Sequence, residues 1–439
     1  MPSPPAAYDL LRNEEDYSSL GYTTNRLDIF GSVKYIQLRQ DDPSWYLTFG
    51  GELRERFEST EARNFGIGAG SDSYLLQQAT LLTDFHLGKR VRFFVEGVSG
   101  EMLGETETPP PVQQDPIDLQ FAFVDVIPYL TDDERLTLRA GRFGMSYGAG
   151  RLVALREPVN IPFRFDGFEM FYSRPEWEAT AFLTQPAKDS GHLDGEDHTT
   201  TFWGLYATHW FDAPHAFGAD LYYFGIHRKN GAYASGTGDE HRHSLGTRQF
   251  GKWHNWDFDT EEIIQLGSFA NDSIHAWTAS LDSGYTWQTI GQPRLGLKAD
   301  VTSGNNNSND GRQETFDALY FKSGYFNDAS LIRPENIIDL HPNASVQLTK
   351  KVSLDGGADW FWRYSRNDAV YAVPGFISIP ALHTESSYVG TALDVNFNWQ
   401  IQRHFSLQAS FVHFLSGDYI REAGGRDVNY VSTTATFIF

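Results

Sequence analysis

The segment from Arg142 to Gly167, RFGMSYGAGRLVALREPVNIPFRFDG, is the longest non-repetitive signature of the chain and gathers Arg142, Arg151, Arg156 and Arg164 into one excursion. On a chain of formal charge -22 such clustering needs a cause. Arginine presents a planar guanidinium that pairs a carboxylate through two parallel bonds. Gly148 and Gly150 permit tight backbone geometry, and Pro158 and Pro162 forbid a continuing central strand. A compact basic loop follows. It either constricts a passage or braces a wall through Glu157, Asp166 and Glu169, and the same arginines can do both.

Other constellations carry less. Ser190, His192 and Asp194 sit within one short loop stretch, too close for a triad whose members come from different elements, so they read as a polar loop with no catalytic residue assigned. His404 and His413, placed on one expected strand, point to opposite faces and make no metal pair. Asn305 to Gly311, NNNSNDG, lacks the opening Asp and the closing bidentate acid of a calcium loop. With no Cys there is neither a disulfide nor a thiolate centre, and no cofactor or metal is expected. An excess of 57 Asp+Glu over 35 Lys+Arg repels a phosphate backbone, which argues against nucleic acid as a partner.

The elements that must position the basic loop show in the hydrophobic period. No stretch reaches the roughly 18 uninterrupted apolar residues of a membrane helix. Segments of about ten residues instead alternate apolar with polar or charged positions. Leu295, Leu297, Ala299 and Val301 alternate with Arg294, Lys298 and Asp300. Leu354, Ala358, Trp360, Trp362 and Tyr364 oppose Asp355, Asp359 and Arg363, and Leu393, Val395 and Phe397 oppose Asp394 and Asn396. In Trp45 to Phe57 the outward set is Trp45, Leu47, Phe49, Leu53 and Phe57, against Glu52, Arg54 and Arg56. By this parity Arg54, Arg56, Arg92, Arg139, Arg294, Lys298 and Arg363 face the interior beside acids such as Glu52, Glu96, Asp282 and Asp300. Leu297, Trp362 and Val395 are expected to face lipid, and Lys298, Arg363 and Asp394 the lumen.

Short connections at Gly88 to Arg90, Arg174 to Glu176, Asp212 to His215, Gln288 to Gln292, Thr349 to Lys351 and Gln400 to Arg403 alternate with longer polar ones. The long ones include Arg142 to Phe163, His227 to His241, Thr302 to Asn336 and Ser365 to Ser386. The pattern predicts an all-β fold, a transmembrane antiparallel barrel of about 18 strands over residues 45–439, with short periplasmic turns and long extracellular loops. Residues 1–44 lack strict alternation and are expected to form an N-terminal periplasmic segment at the barrel mouth, as an extension or a plug. Met1 to Ala7, MPSPPAA, has neither a basic start nor an apolar run, consistent with a signal peptide already removed or a cytosolic chain.

SYGAGRLVALREPVN, with LRAGRFGMSYG overlapping its start and FDG at Phe165 to Gly167, resembles the alginate export family of outer-membrane porins. DDPSWYLTFGGELRERFE at Asp41 to Glu58, HSLGTRQFG at His243 to Gly251, PRLGLKADVTSG at Pro293 to Gly304, ENIIDLHP at Glu335 to Pro342 and WFWRYSRNDAVY at Trp360 to Tyr371 are similar to that family in the same order. The resemblance implies a channel in the bacterial outer membrane that passes an anionic solute, an alginate-like polysaccharide or uronate, through an arginine-rich lumen. The candidate pore residues are the seven wall cations that parity turns inward, together with Arg142, Arg151, Arg156 and Arg164 of the basic loop. The implied partners are outer-membrane lipid, the anionic solute, and the assembly machinery that reads a last strand ending on Phe439. A general small-solute porin and a barrel-embedded hydrolase are the alternatives.

Overall fold

The computed structural model describes residues 8–22, 28–105, 108–190, 193–211, 216–372, 376–382 and 384–439. Period-2 alternation becomes eighteen barrel strands: β1 Trp45–Glu61, β2 Asp72–Leu87, β3 Val91–Leu103, β4 Asp115–Leu130, β5 Arg135–Phe143, β6 Phe165–Arg174, β7 Trp177–Pro186, β8 Thr200–Trp210, β9 Phe217–Tyr233, β10 Gly236–Trp253, β11 Trp256–Phe269, β12 Asp272–Thr286, β13 Arg294–Thr302, β14 Ile337–Thr349, β15 Val352–Arg363, β16 Tyr388–Gln402, β17 Phe405–Ser416 and β18 Val428–Ile438. Each pairs antiparallel with its sequence neighbours. β18 closes on β1, with Glu52 opposite Ile438 and Glu61 opposite Asn429. Gly51 and Phe439 exchange two backbone hydrogen bonds of 3.0 and 2.9 Å at this seam. Closure pairs every strand on both sides, which is what allows a sheet to cross a bilayer.

The side-chain phase follows the parity of the sequence. Leu297 and Val395 are 39% and 41% exposed on the outside, whereas Asp300 and Asp359 are fully buried on the inside. Exposed Trp177, Trp253, Trp256, Trp287 and Trp399 stand at strand ends bordering the short connections, forming an aromatic girdle on one rim. The short connections 88–90, 175–176, 254–255, 350–351 and 403–404 share that rim with both ends of the barrel sheet, and the long ones lie opposite. The expected turn at Asp212 to His215 lies outside the described residues.

Two expectations are corrected. His227 to His241 is not a long loop: β9 and β10 run through it and join at residues 234–235, with Tyr233 paired to Gly236. Its residues are polar because this hairpin projects beyond the apolar band, where alternation has no lipid to select it. His404 is not on a strand with His413. It occupies the 403–404 turn, 3.1 Å from Asp28, while His413 on β17 hydrogen-bonds Asn429 at 2.7 Å.

The barrel interior is filled unevenly. The inner faces of β3 to β9 carry buried Phe94, Phe123, Phe182, Phe202, Tyr206 and Phe224, which pack on Met145, Leu152 and Leu155 of the 144–164 loop. Tyr147 of that loop stacks on Tyr206 at 4.9 Å. The aromatic content thus serves two apolar surfaces, one facing outward and one receiving a loop.

Candidate functional site in the loop-narrowed lumen

The 144–164 loop turns into the barrel at two glycines with left-handed backbone, Gly148 (φ 56°) and Gly150 (φ 73°). A β-carbon on Gly148 would stand 2.6 Å from Tyr206 Oη, so the turn fits against the wall only without a side chain. Inside, the loop meets the 303–336 loop. Ala154 N–H donates to Tyr320 O at 2.8 Å, Tyr320 N–H to Leu152 O at 2.8 Å, and Lys322 N–H to Gly150 O at 2.9 Å. Two loops far apart in sequence thereby form a hydrogen-bonded bridge within the lumen.

The bridge separates two open cavities. The one toward the short-turn rim encloses about 770 Å³ and is lined by Arg56, Arg151, Arg294, Lys298 and Lys322, with Asp259, Asp282, Asp328 and Asp394 among the facing acids. The one toward the long-loop rim encloses about 620 Å³ and is lined by Arg156, Lys188, Arg228 and Arg333, with Asp189, Asp317 and Glu335 opposite. Ser323 lines both. A third cavity of about 520 Å³, beside the N-terminal segment, holds Arg92, Arg135 and Arg139.

The eleven expected site cations all lie inside, but they divide by partner. Arg294 is held by Asp257 at 2.5 and 2.9 Å, and Arg56 by Glu58 at 2.5 Å and Asp328 at 2.9 Å. Arg151 reaches from the loop to Glu261 at 2.8 Å and Asp259 at 3.3 Å on β11. Lys298 lies 3.6 Å from Asp300 and donates to Tyr325 O at 2.7 Å. Arg156 pairs with Asp189 at 3.0 Å. These five border open cavities. Arg92 grips Asp84 at 2.7 and 2.8 Å, and Arg139 grips Asp125 at 2.8 and 3.0 Å, both around the third cavity.

The remaining four act as braces. Arg54 reaches Val159 O at 2.8 Å and Glu157 at 3.4 Å, tying β1 to the inner loop. Arg142 chelates Asp166 at 2.9 and 2.8 Å. Arg164 is enclosed by Asp118, Asp189 and Asp194. Arg363 faces inward as expected, yet it donates to the backbone oxygens of Arg366 at 2.8 Å and Ser386 at 2.6 Å and lies over Tyr419 at 3.7 Å. It therefore fixes the 364–387 loop rather than lining an open cavity.

Sequence parity missed one cation that lines the turn-side cavity. Lys322 sits on the bridge, exposed to the turn-side cavity, and pairs with no carboxylate among the described residues. Desolvation by the loops packed around its stem first, then the like charges of Lys298 and Arg151, push its pKa down to about 8. A lone lysine in a loop without alternation gives no signal to a strand-based reading. Arg228, Arg333 and Lys188 were missed for related reasons, since they belong to the projecting hairpin and to loops.

The N-terminal segment adds contacts from the turn side. Asn13 O accepts from Arg92 at 2.7 Å, and Arg12 donates to Phe439 O at 2.9 Å and to Glu15 at 2.6 Å. Lys34 is buried beside Arg12, and burial first, then that neighbouring charge, pushes its pKa down to about 7. Elsewhere, Ser190 hydrogen-bonds Asp194, while His192 lies outside the described residues. The Asn305 to Gly311 stretch closes on itself: Asn306 binds Glu314 at 3.0 Å, and Arg312 N–H caps Asp310 at 3.0 Å.

Several solved structures share this architecture. OccD3 (OpdP) of Pseudomonas aeruginosa aligns with a TM-score of 0.62 at 13% identity, covering 100% of this chain and 99% of that chain. OccAB1 of Acinetobacter baumannii aligns at 0.61 and 13% identity, covering 93% and 99%, and OccK11 (OpdR) of Pseudomonas aeruginosa at 0.57 and 11%, covering 90% and 96%. At such identities the likeness concerns the fold. No curated protein matches the sequence. Residues 45–434 match the family model described as Alginate export, a span that covers nearly the whole barrel, and the chain therefore belongs to the alginate export family as a porin channel of the bacterial outer membrane.

Proposed function

We propose that this porin passes small carboxylated solutes of the uronate class passively, without catalysis. The observation that carries this reading is the turn-side cavity, where Lys322 presents an unpaired ammonium beside Arg151, Lys298, Arg294 and Arg56. In a confined space with little room for counterions, an ammonium without a carboxylate partner is where a visiting anion gains most, in a lining that otherwise mixes Arg56, Arg151, Arg294 and Lys298 with six carboxylates. The flanking guanidiniums keep N–H donors in the planar geometry that suits carboxylates.

Size favours a monomer or short oligomer over a threaded polymer. The bridge between the 144–164 and 303–336 loops leaves two cavities that share Ser323, and a chain of linked sugars would have to part three backbone hydrogen bonds or slip past them. A general small-solute porin differs from this reading in lacking preference for charge. A barrel-embedded hydrolase differs in needing a base within reach of a nucleophile.

Reversal potentials across planar bilayers in a salt gradient, with purified wild-type protein, test the proposal. The expected result is anion preference, reduced in Arg151→Ala and Arg156→Ala and unchanged in Arg174→Ala and Lys351→Ala, whose side chains lie at the short turns. Galacturonate added at millimolar concentration should interrupt the current more effectively than glucose. A cation-selective wild-type channel, or equal block by both sugars, would refute the uronate reading while leaving the porin intact.

A further inference from the structure

At the long-loop end of the barrel lies a group of acids that the channel reading does not use. Asp115 and Asp118 come from the start of β4, and Asp194 from the 187–199 loop. Each offers a carboxylate oxygen within 4.8 Å of the others, and all three side chains are buried. Asp118 is occupied: one oxygen binds Arg164, and the other accepts the N–H groups of Leu119 at 2.6 Å and Asp194 at 3.2 Å. Asp194 accepts the Ser190 N–H at 2.8 Å and Arg164 at 3.2 Å. Asp115 differs. It is 1% exposed, and both of its carboxylate oxygens are buried with no hydrogen-bond partner.

A buried carboxylate without donors is expensive unless a cation or a proton meets it. The surrounding charges decide between these. Arg142 is matched by Asp166 and Arg156 by Asp189, so the cluster itself counts three carboxylates against the single guanidinium of Arg164. A proton would leave one negative charge in place, whereas a doubly charged ion removes both. The donors are all hard oxygens, contributed by a strand end and a loop that can adjust their spacing, as calcium coordination tolerates.

We propose that Asp115, Asp118 and Asp194 bind a divalent cation, calcium in preference to magnesium, at the extracellular end of the barrel. The ion would tie the 187–199 loop to β4. It would also hold the end of the inner loop through Arg164, next to the point where Asn160 already hydrogen-bonds Gln113 O at 2.8 Å and Glu101 O at 3.0 Å. The site thus lies outside the conducting cavities and sets the position of the loop that divides them.

The test uses the full chain, purified in detergent and stripped with EGTA. Isothermal titration with calcium chloride is expected to show one site in wild type, weakened at least tenfold in Asp115→Asn, with a calcium-dependent rise in the thermal midpoint seen only in wild type. Equal calcium binding by both proteins would overturn the proposal. So would a wild type indifferent to calcium, the result expected if Asp115 shares a proton with Asp118. Should Asp115→Asn fail to assemble, limited proteolysis of wild type decides: cleavage within 187–199 slowed by calcium supports the site, and equal cleavage in calcium and EGTA refutes it.

Discussion

Ala154 donates its backbone N–H to Tyr320 O across 2.8 Å in the middle of the lumen, joining two loops that leave the wall more than a hundred residues apart. Loops so joined form a fixed partition. Proline at position 154 removes the donor. We expect Ala154→Pro to raise single-channel conductance while the barrel still shows normal heat-modifiable migration on gels. Unchanged conductance in a correctly assembled variant would show that the bridge does not limit the passage.

Lys322 and Arg151 should separate selectivity from stability. A unit charge about 8 Å from a passing ion in water-like surroundings contributes about 0.5 kcal/mol, or about twofold in relative permeability. Lys322→Gln should therefore lower the anion-to-cation permeability ratio by about twofold and leave the unfolding transition in place. Arg151→Gln should lower it as well, and should also destabilise the protein by about 3–5 kcal/mol, because Glu261 and Asp300 lose a buried counter-charge. Chemical denaturation alongside reversal potentials distinguishes the two variants.

The lowered pKa of Lys322 gives selectivity a pH dependence of definite sign. Its ammonium is charged below about 8 and neutral above it. Anion preference should accordingly be full at pH 6.5 and decline between pH 7 and 9, whereas the Arg partners stay charged throughout. Lys322→Arg should abolish that decline. A pH-independent reversal potential in wild type would assign the selectivity to the guanidiniums instead.

The N-terminal segment predicts a second effect on flow. Asn13 sits against Arg92, and Arg12 binds the backbone oxygen of Phe439 just past the closing strand. Deleting residues 1–38 should enlarge conductance from the turn side and free Arg92 and Arg139 to meet solute. An unchanged conductance would mark the segment as an extension that rests at the rim without obstructing it.

Strand parity made the wall legible from the sequence, because each strand position faces either lipid or lumen and only one set of residues suits lipid. Leu297 beside Lys298 and Val395 beside Asp394 follow that rule. The inward-facing Phe94, Phe182 and Phe202 do not, since the surface that buries them is a loop supplied from elsewhere in the chain. The basic segment 142–164 was legible as a compact inward loop through its glycines, prolines and arginines. Its division into cavity-lining Arg151 and Arg156 and bracing Arg142 and Arg164 was not, because that depends on which acids the barrel brings opposite. Lys322 was invisible for the same reason: neither its loop nor its neighbours mark it, and only the bridge to Gly150 places it in the lumen.

Pre-formed pairing of nearly every cavity-lining arginine bears on how long a solute stays. A visiting carboxylate must compete with Asp257 for Arg294 or with Glu261 for Arg151, so each contact replaces an existing one and gains little. The resulting wells are shallow and closely spaced. A solute entering such a lumen is handed between weak stations with short dwell times, and turnover then depends more on concentration difference than on affinity.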